Sequence, residues 1–178
     1  MKILTIIMKK NKKTYAIGLM SGTSTDGVDV ACIEFNSKKE IKLIAFESYS
    51  YPDELKKSLL KIGNSGETTA AEISSLNVKV GRCFANSVLK LISKHHLEKL
   101  ALDFIGSHGQ TISHTPKGGV YGNQILSPST LQIGDPSIIS ELTGLTVVSN
   151  MRLRDIAVGG TGAPLTPWAH QKLFENKN

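Results

Sequence analysis

Two short apolar runs, at residues 15–19 and 28–35, flank Ser21-Gly-Thr-Ser-Thr-Asp-Gly27, a polar stretch with two glycines and four hydroxyl side chains. That arrangement reads as strand, glycine-bearing turn, strand. Residues 41–51 alternate through Ile41, Leu43 and Ala45 and make a third strand. Three consecutive strands with short links point to an antiparallel start of a sheet.

Helices follow. Pro52-Asp-Glu suits a first turn, since proline is tolerated there and acids favour the positive end of the helix dipole. The spacing predicts a helix over residues 52–62, stopped by Gly63-Asn-Ser-Gly66. A longer one is expected over 69–95, where Ile73, Leu76, Val80, Phe84, Val88 and Leu91 recur at three and four and trace one buried stripe. Residues 103–106 form a strand ending in Ser107-His-Gly-Gln-Thr111, and the Gly, Pro and Ser content of 115–130 marks a surface loop. A brief strand at 131–134, a helix from Asp135-Pro136 to Thr143 closed by Gly144, a strand at 145–148 and a helix at 167–174 complete the pattern. Strands first and helix-strand alternation afterwards give an α/β domain, a mixed sheet covered by helices.

The chain has 178 residues, enough for one ordinary domain, with 40% hydrophobic and 20% charged residues. No apolar run reaches the roughly 18 residues of a membrane span. The net charge of +6 invites a nucleic-acid reading, but Lys2, Lys9, Lys10, Lys12 and Lys13 all lie in the first thirteen positions. Without them 16 basic residues face 15 acidic ones, too even for a basic binding face. Neither nucleic acid nor membrane is an expected partner. Residues 1–13 are expected to be a basic disordered extension, with Met8 an alternative start, and residues 14–178 to be the folded part. The N-terminus lacks a small-residue cleavage site, so cytoplasmic residence is expected. Cys32 and Cys83 lie in apolar contexts at no metal spacing and read as buried free thiols.

Three stretches carry chemistry. In Gly18-Leu-Met-Ser-Gly-Thr-Ser-Thr-Asp-Gly-Val-Asp29, Gly22 and Gly27 let backbone N–H groups converge on an anion, and Ser21, Thr23, Ser24 and Thr25 add hydroxyl donors. Asp26 and Asp29 repel phosphate directly but can hold Mg²⁺ through water. The competing reading is a polar hairpin turn built on Asp26-Gly27; it is no Walker A loop, lacking Gly-Lys-Ser/Thr. Ser107-His-Gly-Gln-Thr111 lies at a strand end and suits a hydroxyl-rich ligand such as a sugar, or is a satisfied polar turn. A serine hydrolase is not expected, for want of a Gly-x-Ser-x-Gly elbow and of an acid nearby in sequence, and His108 and His114, six apart, make a poor metal pair. Arg152-Leu-Arg154-Asp155 precedes the loop Gly159-Gly-Thr-Gly162; it offers a bidentate grip on an anion or an Arg–Asp pair pinning a loop.

Four motifs occur together and in order: Ile17-Gly-Leu-Met-Ser-Gly-Thr-Ser-x-Asp-Gly-Val-Asp29, Ile105-Gly-Ser-His-Gly-Gln-Thr111, Leu131-Gln-Ile-Gly-Asp-Pro136 and Gly160-x-Gly-Ala-Pro-Leu165. The set resembles the anhydro-N-acetylmuramic acid kinase family of actin/hexokinase-like sugar kinases, over about residues 15–174. The resemblance implies an actin-like ATPase (ribonuclease H-like) domain with antiparallel first strands, and an enzyme that uses ATP and Mg²⁺. It would hydrolyse the 1,6-anhydro bond of anhydro-N-acetylmuramic acid and phosphorylate O6, giving N-acetylmuramic acid 6-phosphate in cell-wall recycling. Carried over by motif, Gly22, Thr23, Ser24, Thr25, Asp26, Gly27, Val28 and Asp29 form the first ATP phosphate loop, with Asp26 toward the metal. Thr111 and Arg154 touch the sugar, and Asp155 supports them from behind.

Thr25 stands where the family has leucine, Thr161 where it has glutamine, and Ser149-Asn150-Met151 where Ala-Asp-Phe is common. Family members are about twice as long. By the resemblance, the second phosphate loop, the adenosine-binding glycines and the aspartate general base lie beyond Asn178, so no catalytic base is expected within these residues. Clamping the nucleotide from both sides is what phosphoryl transfer needs, so the chain alone is expected to be inactive. The alternatives are an inactive remnant, or one subunit of a split kinase completed by a separate C-terminal chain; a homodimer is a further option. The face meeting the missing half is expected to be unusually apolar.

Overall fold

The computed structural model describes residues 13–22, 24–36, 40–65 and 68–174. Residues 1–12, which carry nearly all of the expected N-terminal extension, and Thr23 of the polar turn lie outside the described residues. Lys13 pairs with Glu34 at 3.0 Å.

Strands β1 (Thr14–Ser21), β2 (Gly27–Phe35) and β3 (Ile41–Ser50) pair antiparallel in sequence, as the short links dictate. After two helices, α1 (Asp53–Ser65) and α2 (Ala70–Lys94), and a 3-10 turn at Leu97–Lys99, β4 (Leu102–Thr115) returns parallel to β1. A small hairpin of β5 (Gly119–Tyr121) and β6 (Gln124–Leu126) precedes β7 (Ser129–Ile133), which runs antiparallel to the outer half of β4. Then come α3 (Pro136–Thr143), β8 (Val147–Val148), which lies parallel to the inner half of β4, α4 (Met151–Ile156) and α5 (Thr166–Phe174). The strand order is β3-β2-β1-β4-β7, with β8 also on β4, and the fold is the α/β mixed sheet that the pattern required.

Local chemistry sets the helix ends. Thr69 caps α2 in a reciprocal box with Glu72, each satisfying a backbone N–H of the other's turn. Asp135 caps α3 by accepting from Ser137 and Ile138, and Gly144 ends it at φ +70°. Asn77 on α2 binds the α3 cap twice over. Its Nδ2 donates to the Asp135 carboxylate at 3.1 Å, and its Oδ1 accepts from the Gly134 N–H at 2.8 Å. Gly81, one turn further along α2, leaves room for this approach: a Cβ there would come within 3.1 Å of the Asp135 backbone.

The core lies on one face of the sheet. Ile17, Leu19, Val28, Val30, Cys32, Ala45 and Ile105 meet Leu55 and Leu59 of α1, the Leu76–Val80–Phe84–Val88–Leu91 stripe of α2, and Ile139 of α3. Burial pushes the Cys32 thiol up; Cys83 is half-buried, and both are free. Among the described residues the other face has no comparable cover. Gly18, Ala31 and Phe46 lie side by side across β1, β2 and β3, and Gly106 adjoins Gly18 on β4. A Cβ on Gly18 would meet nothing within 4 Å. Met20, Ile41, Leu43, Phe46 and Val148 stand exposed there. Among the described residues no helix is long and apolar enough to cross a membrane.

Three local expectations are corrected. The strand placed at 103–106 continues through Ser107–Thr111 to Thr115, because β7 supplies hydrogen-bond partners for its outer half. Gly109, at φ +78°, makes a local irregularity instead of ending the strand. The loop expected at 115–130 contains the β5–β6 hairpin, and Arg152-Leu-Arg-Asp155 is helical, entered through a left-handed Asn150 at φ +59°.

Candidate functional site

The turn between β1 and β2 is held at both ends. The Thr25 N–H donates to the Gly22 carbonyl at 3.3 Å, with Thr25 itself at φ +53°, and the Tyr51 N–H donates to the Asp26 carbonyl at 3.3 Å. Gly27 lies so close to β3 that a Cβ would overlap the Tyr49 carbonyl. Gly22, Ser24, Asp26, Gly27, Val28 and Asp29 line one cavity of about 320 Å³ with Ser48, Tyr49 and Ser50. Val28 turns its side chain into the core, so only its backbone is available to a ligand. Thr25 is likewise buried, its hydroxyl donating to the Ser24 carbonyl at 2.7 Å.

The two acids differ. Asp26 is exposed and ion-paired at 2.9 Å to Lys56 of α1, which, with a hydrogen bond from Ser24, holds its carboxyl below the usual range. Asp29 accepts a short hydrogen bond from the Ser48 hydroxyl. Among the described residues no group of three or more His, Cys, Asp and Glu is placed to hold a metal ion. Two carboxylates bordering one cavity fit Mg²⁺ arriving on phosphate oxygens, since that ion keeps much of its water and needs only one or two protein carboxylates.

Behind the turn sits a buried polar knot that the sequence reading did not assign. Gln110, at 0% exposure, reaches from β4 to donate from Nε2 to the Gly22 carbonyl at 2.9 Å and the Thr111 carbonyl at 3.1 Å. Its Oε1 lies 2.7 Å from Ser21 Oγ and 3.3 Å from the Tyr51 hydroxyl. Ser21 Oγ is also 2.6 Å from the Gly27 carbonyl, and Tyr51 donates to Ser21 at 3.0 Å. Each hydroxyl has one proton, so Gln110 Oε1 is paired either by Ser21, with Tyr51 donating to Ser21, or by Tyr51, with Ser21 donating to the Gly27 carbonyl. Burial pushes the Tyr51 phenol well up. The signal in the sequence was only a glutamine beside a strand glycine.

The residues assigned to the sugar are not gathered at one point. Thr111 shares a cavity of about 230 Å³ with Thr25, Leu59, Leu60, Gly63 and His114. Its hydroxyl accepts from Gln132 Nε2 at 3.3 Å. Asp155, on α4, accepts from the Gly162 N–H at 2.8 Å and holds the 159–162 loop, while a Cβ on Gly160 would overlap its carboxylate. Arg154 is exposed and makes no side-chain hydrogen bond or ion pair among the described residues. It is Arg152 that reaches back to the sheet: its Nε donates to His108 Nε2 at 2.7 Å. His108 Nδ1 lies 2.9 Å from the Gly109 carbonyl, so the imidazole is neutral with its proton on Nδ1. Burial, with Arg152 adding to it, lowers the His108 pKa.

Another cavity, of about 500 Å³, lies elsewhere, between β4, β7 and the N-terminal turns of α2 and α3. Ser107, His108 and Gly109 line it, so structure splits the Ser107–Thr111 motif between two cavities.

An antiparallel three-stranded start, a fourth strand returning parallel to the first, helices on one face and a pinned turn after β1 belong to the actin-like ATPase and sugar-kinase fold. The family model for anhydro-N-acetylmuramic acid kinase matches residues 14–178, and the chain belongs to that family. It is 38% identical over 180 residues to the anhydro-N-acetylmuramic acid kinase of Caldanaerobacter subterraneus subsp. tengcongensis, covering 99% of this chain and 45% of that protein. It is 41% identical over 165 residues to the enzyme of the same name from Bacillus thuringiensis subsp. konkukian, covering 91% of this chain and 42% of the relative. The chain thus spans under half the length of the curated relatives it matches.

Proposed function

We propose that this chain is the N-terminal part of an ATP-dependent kinase acting on 1,6-anhydro-N-acetylmuramic acid, and that it carries the first phosphate loop. Water opens the anhydro bond at C1, and the O6 so released takes the γ-phosphoryl group, giving N-acetylmuramic acid 6-phosphate and ADP. The reading is supported above all by the β1–β2 turn, which Gln110, Ser21 and Tyr51 hold by its carbonyls. Held that way, the turn keeps its carbonyls engaged and turns backbone N–H groups such as those of Gly22 and Ser24 toward phosphate oxygens. Mg²⁺ would neutralise charge on the transferring phosphate, with Asp26 and Asp29 as its protein carboxylates; Thr23 and Ser24 add hydroxyl donors. Thr111 and Arg154 contact the sugar, Arg154 toward its lactyl carboxylate, and Asp155 fixes the loop beside them. The enzyme works in the cytoplasm, in cell-wall recycling.

The general base belongs to the half of the relatives' length that has no counterpart here, so this chain alone gives no turnover. Calorimetric titration with ATP and Mg²⁺ of the chain completed by a C-terminal half tests the loop assignment, with Asp26→Ala and Ser24→Ala as variants; affinity unchanged in both would refute it. Mixing the chain with the separately expressed C-terminal half of the Bacillus thuringiensis relative should restore phosphorylation of the anhydro-sugar. Robust turnover without it would place a base within residues 1–178.

A further inference from the structure

His108 has both ring nitrogens engaged, and in opposite senses. Nδ1 lies 2.9 Å from the Gly109 carbonyl, which can only accept, so Nδ1 carries the proton. Nε2 lies 2.7 Å from Arg152 Nε, whose N–H can only donate, so Nε2 is the acceptor. A second proton on the ring would have to sit on Nε2, setting two donors and two positive charges face to face. The charge acting on the ring is that of Arg152, from α4. Asp135, at the start of α3, lines the same cavity, but its carboxylate is engaged by Asn77, Ser137 and Ile138. The α2 and β7 residues lining that cavity, and Leu19 and Ser21 of the neighbouring β1, are uncharged. Nothing beside the imidazole is placed to accept the added proton.

The bond matters because α4 has little else to hold it. None of its residues is buried, it starts from left-handed Asn150 without a side-chain cap, and Met151 and Leu153 stand exposed. Among the described residues, Arg152 to His108 is the one side-chain hydrogen bond from α4 to the sheet. Asp155 ties the 159–162 loop to the helix and not to a strand, accepting from the Gly162 N–H. We propose that His108 is a pH-operated latch: neutral, it fastens α4 and the 159–162 loop to β4, and protonated it releases them. Burial and Arg152 keep the imidazole neutral to below its ordinary range, so the latch is closed near neutral pH and opens as pH falls through the titration of His108. The latch stands on this geometry alone. Its consequence for the reaction rests on the kinase reading, in which α4 brings Arg154 and Asp155 to the sugar; acid would then detach them from the strand that carries Thr111.

The test is an NMR titration of the full chain from about pH 7.5 to about pH 4.5. Imidazole nitrogen shifts follow His108, and hydrogen-exchange protection of the Arg154, Ala157 and Gly162 amides follows the helix and its loop. At the upper limit His108 should show a protonated Nδ1 and a bare Nε2. Protection of the three amides should fall about tenfold, as for one charge-assisted hydrogen bond lost. The fall should share its midpoint with His108, while Val88 and Leu91 of α2 keep their protection. His108→Gln retains an acceptor for Arg152 and does not titrate, so protection should stay level across the range. Arg152→Met alters a helix with no buried residue; it should lower protection already at the upper limit and raise the His108 pKa. A protonated Nε2 at the upper limit, protection that does not follow His108, or a His108→Gln chain with the wild-type pH dependence would each overturn the proposal. So would an Arg152→Met chain as protected as the wild type, or an equal loss in α2, which would make the event global unfolding. Nucleotide titration reads the kinase proposal separately: a chain that binds ATP but shows no such opening fails only here.

Discussion

Gln110 and Gly22, 88 residues apart in the chain, are joined by a 2.9 Å hydrogen bond from the amide Nε2 to the carbonyl, inside a knot that also contains Ser21 and Tyr51. Gln110→Leu keeps the volume and removes the amide's four hydrogen bonds, leaving the Gly22 carbonyl with only the 3.3 Å bond from Thr25 and the Thr111 carbonyl without its side-chain donor. Orphaned buried groups cost about 1–3 kcal/mol each, so the variant should lose about 3 kcal/mol in urea unfolding at unchanged slope. A loss under about 1 kcal/mol would mean that water replaces the amide.

Two strand glycines should behave oppositely. Gly27→Ala places a methyl against the Tyr49 carbonyl, where neither backbone can move without breaking the β2–β3 ladder; the expected cost is about 3 kcal/mol or more. Gly18→Ala meets nothing within 4 Å and should be neutral or stabilising by about 0.5–1 kcal/mol, since alanine gives up less backbone freedom on folding. Equal midpoints for the two variants in thermal unfolding would contradict the packing described.

Two buried groups bound the pH range of stability. The folded His108 pKa is below the usual value of 6.5, so the unfolded chain takes up the proton first and stability falls as pH drops through that value. The folded Tyr51 pKa is above 10.0, so the unfolded chain loses its proton first and stability falls as pH rises past 10. Thermal midpoints followed from pH 5 to 11 should be highest between these limits. Tyr51→Phe should lose less than the wild type on the alkaline side; parallel curves would rule out the phenol as the cause.

Lys56 holds the Asp26 carboxylate in its charged form. Lys56→Met should therefore raise the Asp26 pKa, read by carbon-detected NMR titration of the side-chain carboxyl. The pair is exposed, so its removal should change stability little. A falling or constant Asp26 pKa would show that Ser24, the other group on that carboxyl, dominates.

Much of this architecture was readable from spacing alone, because each element carries its own local cause. The α2 stripe repeats at three and four and is the stripe that meets the sheet; Asp135 and Gly144 bracket α3 as cap and stop. What was missed depends on partners distant in the chain. Ser107–Thr111 looked like a strand end because β7, which pairs with it, begins only at Ser129. The helical turn at Met151–Ile156 starts at a left-handed asparagine, without a side-chain cap to announce it. At the candidate site, the glycines and acids of the turn stood out by type. Gln110 did not, since it matters through three hydrogen bonds to residues distant in the chain, Gly22, Ser21 and Tyr51.

The hold of Gln110 on Gly22 and of Ser21 on Gly27 also bears on how tightly an anion can bind. Ordering a loop at the moment of capture subtracts from affinity. If the turn takes an anion as proposed, the bonds at Gly22 and Gly27 mean that part of this entropy is surrendered during folding.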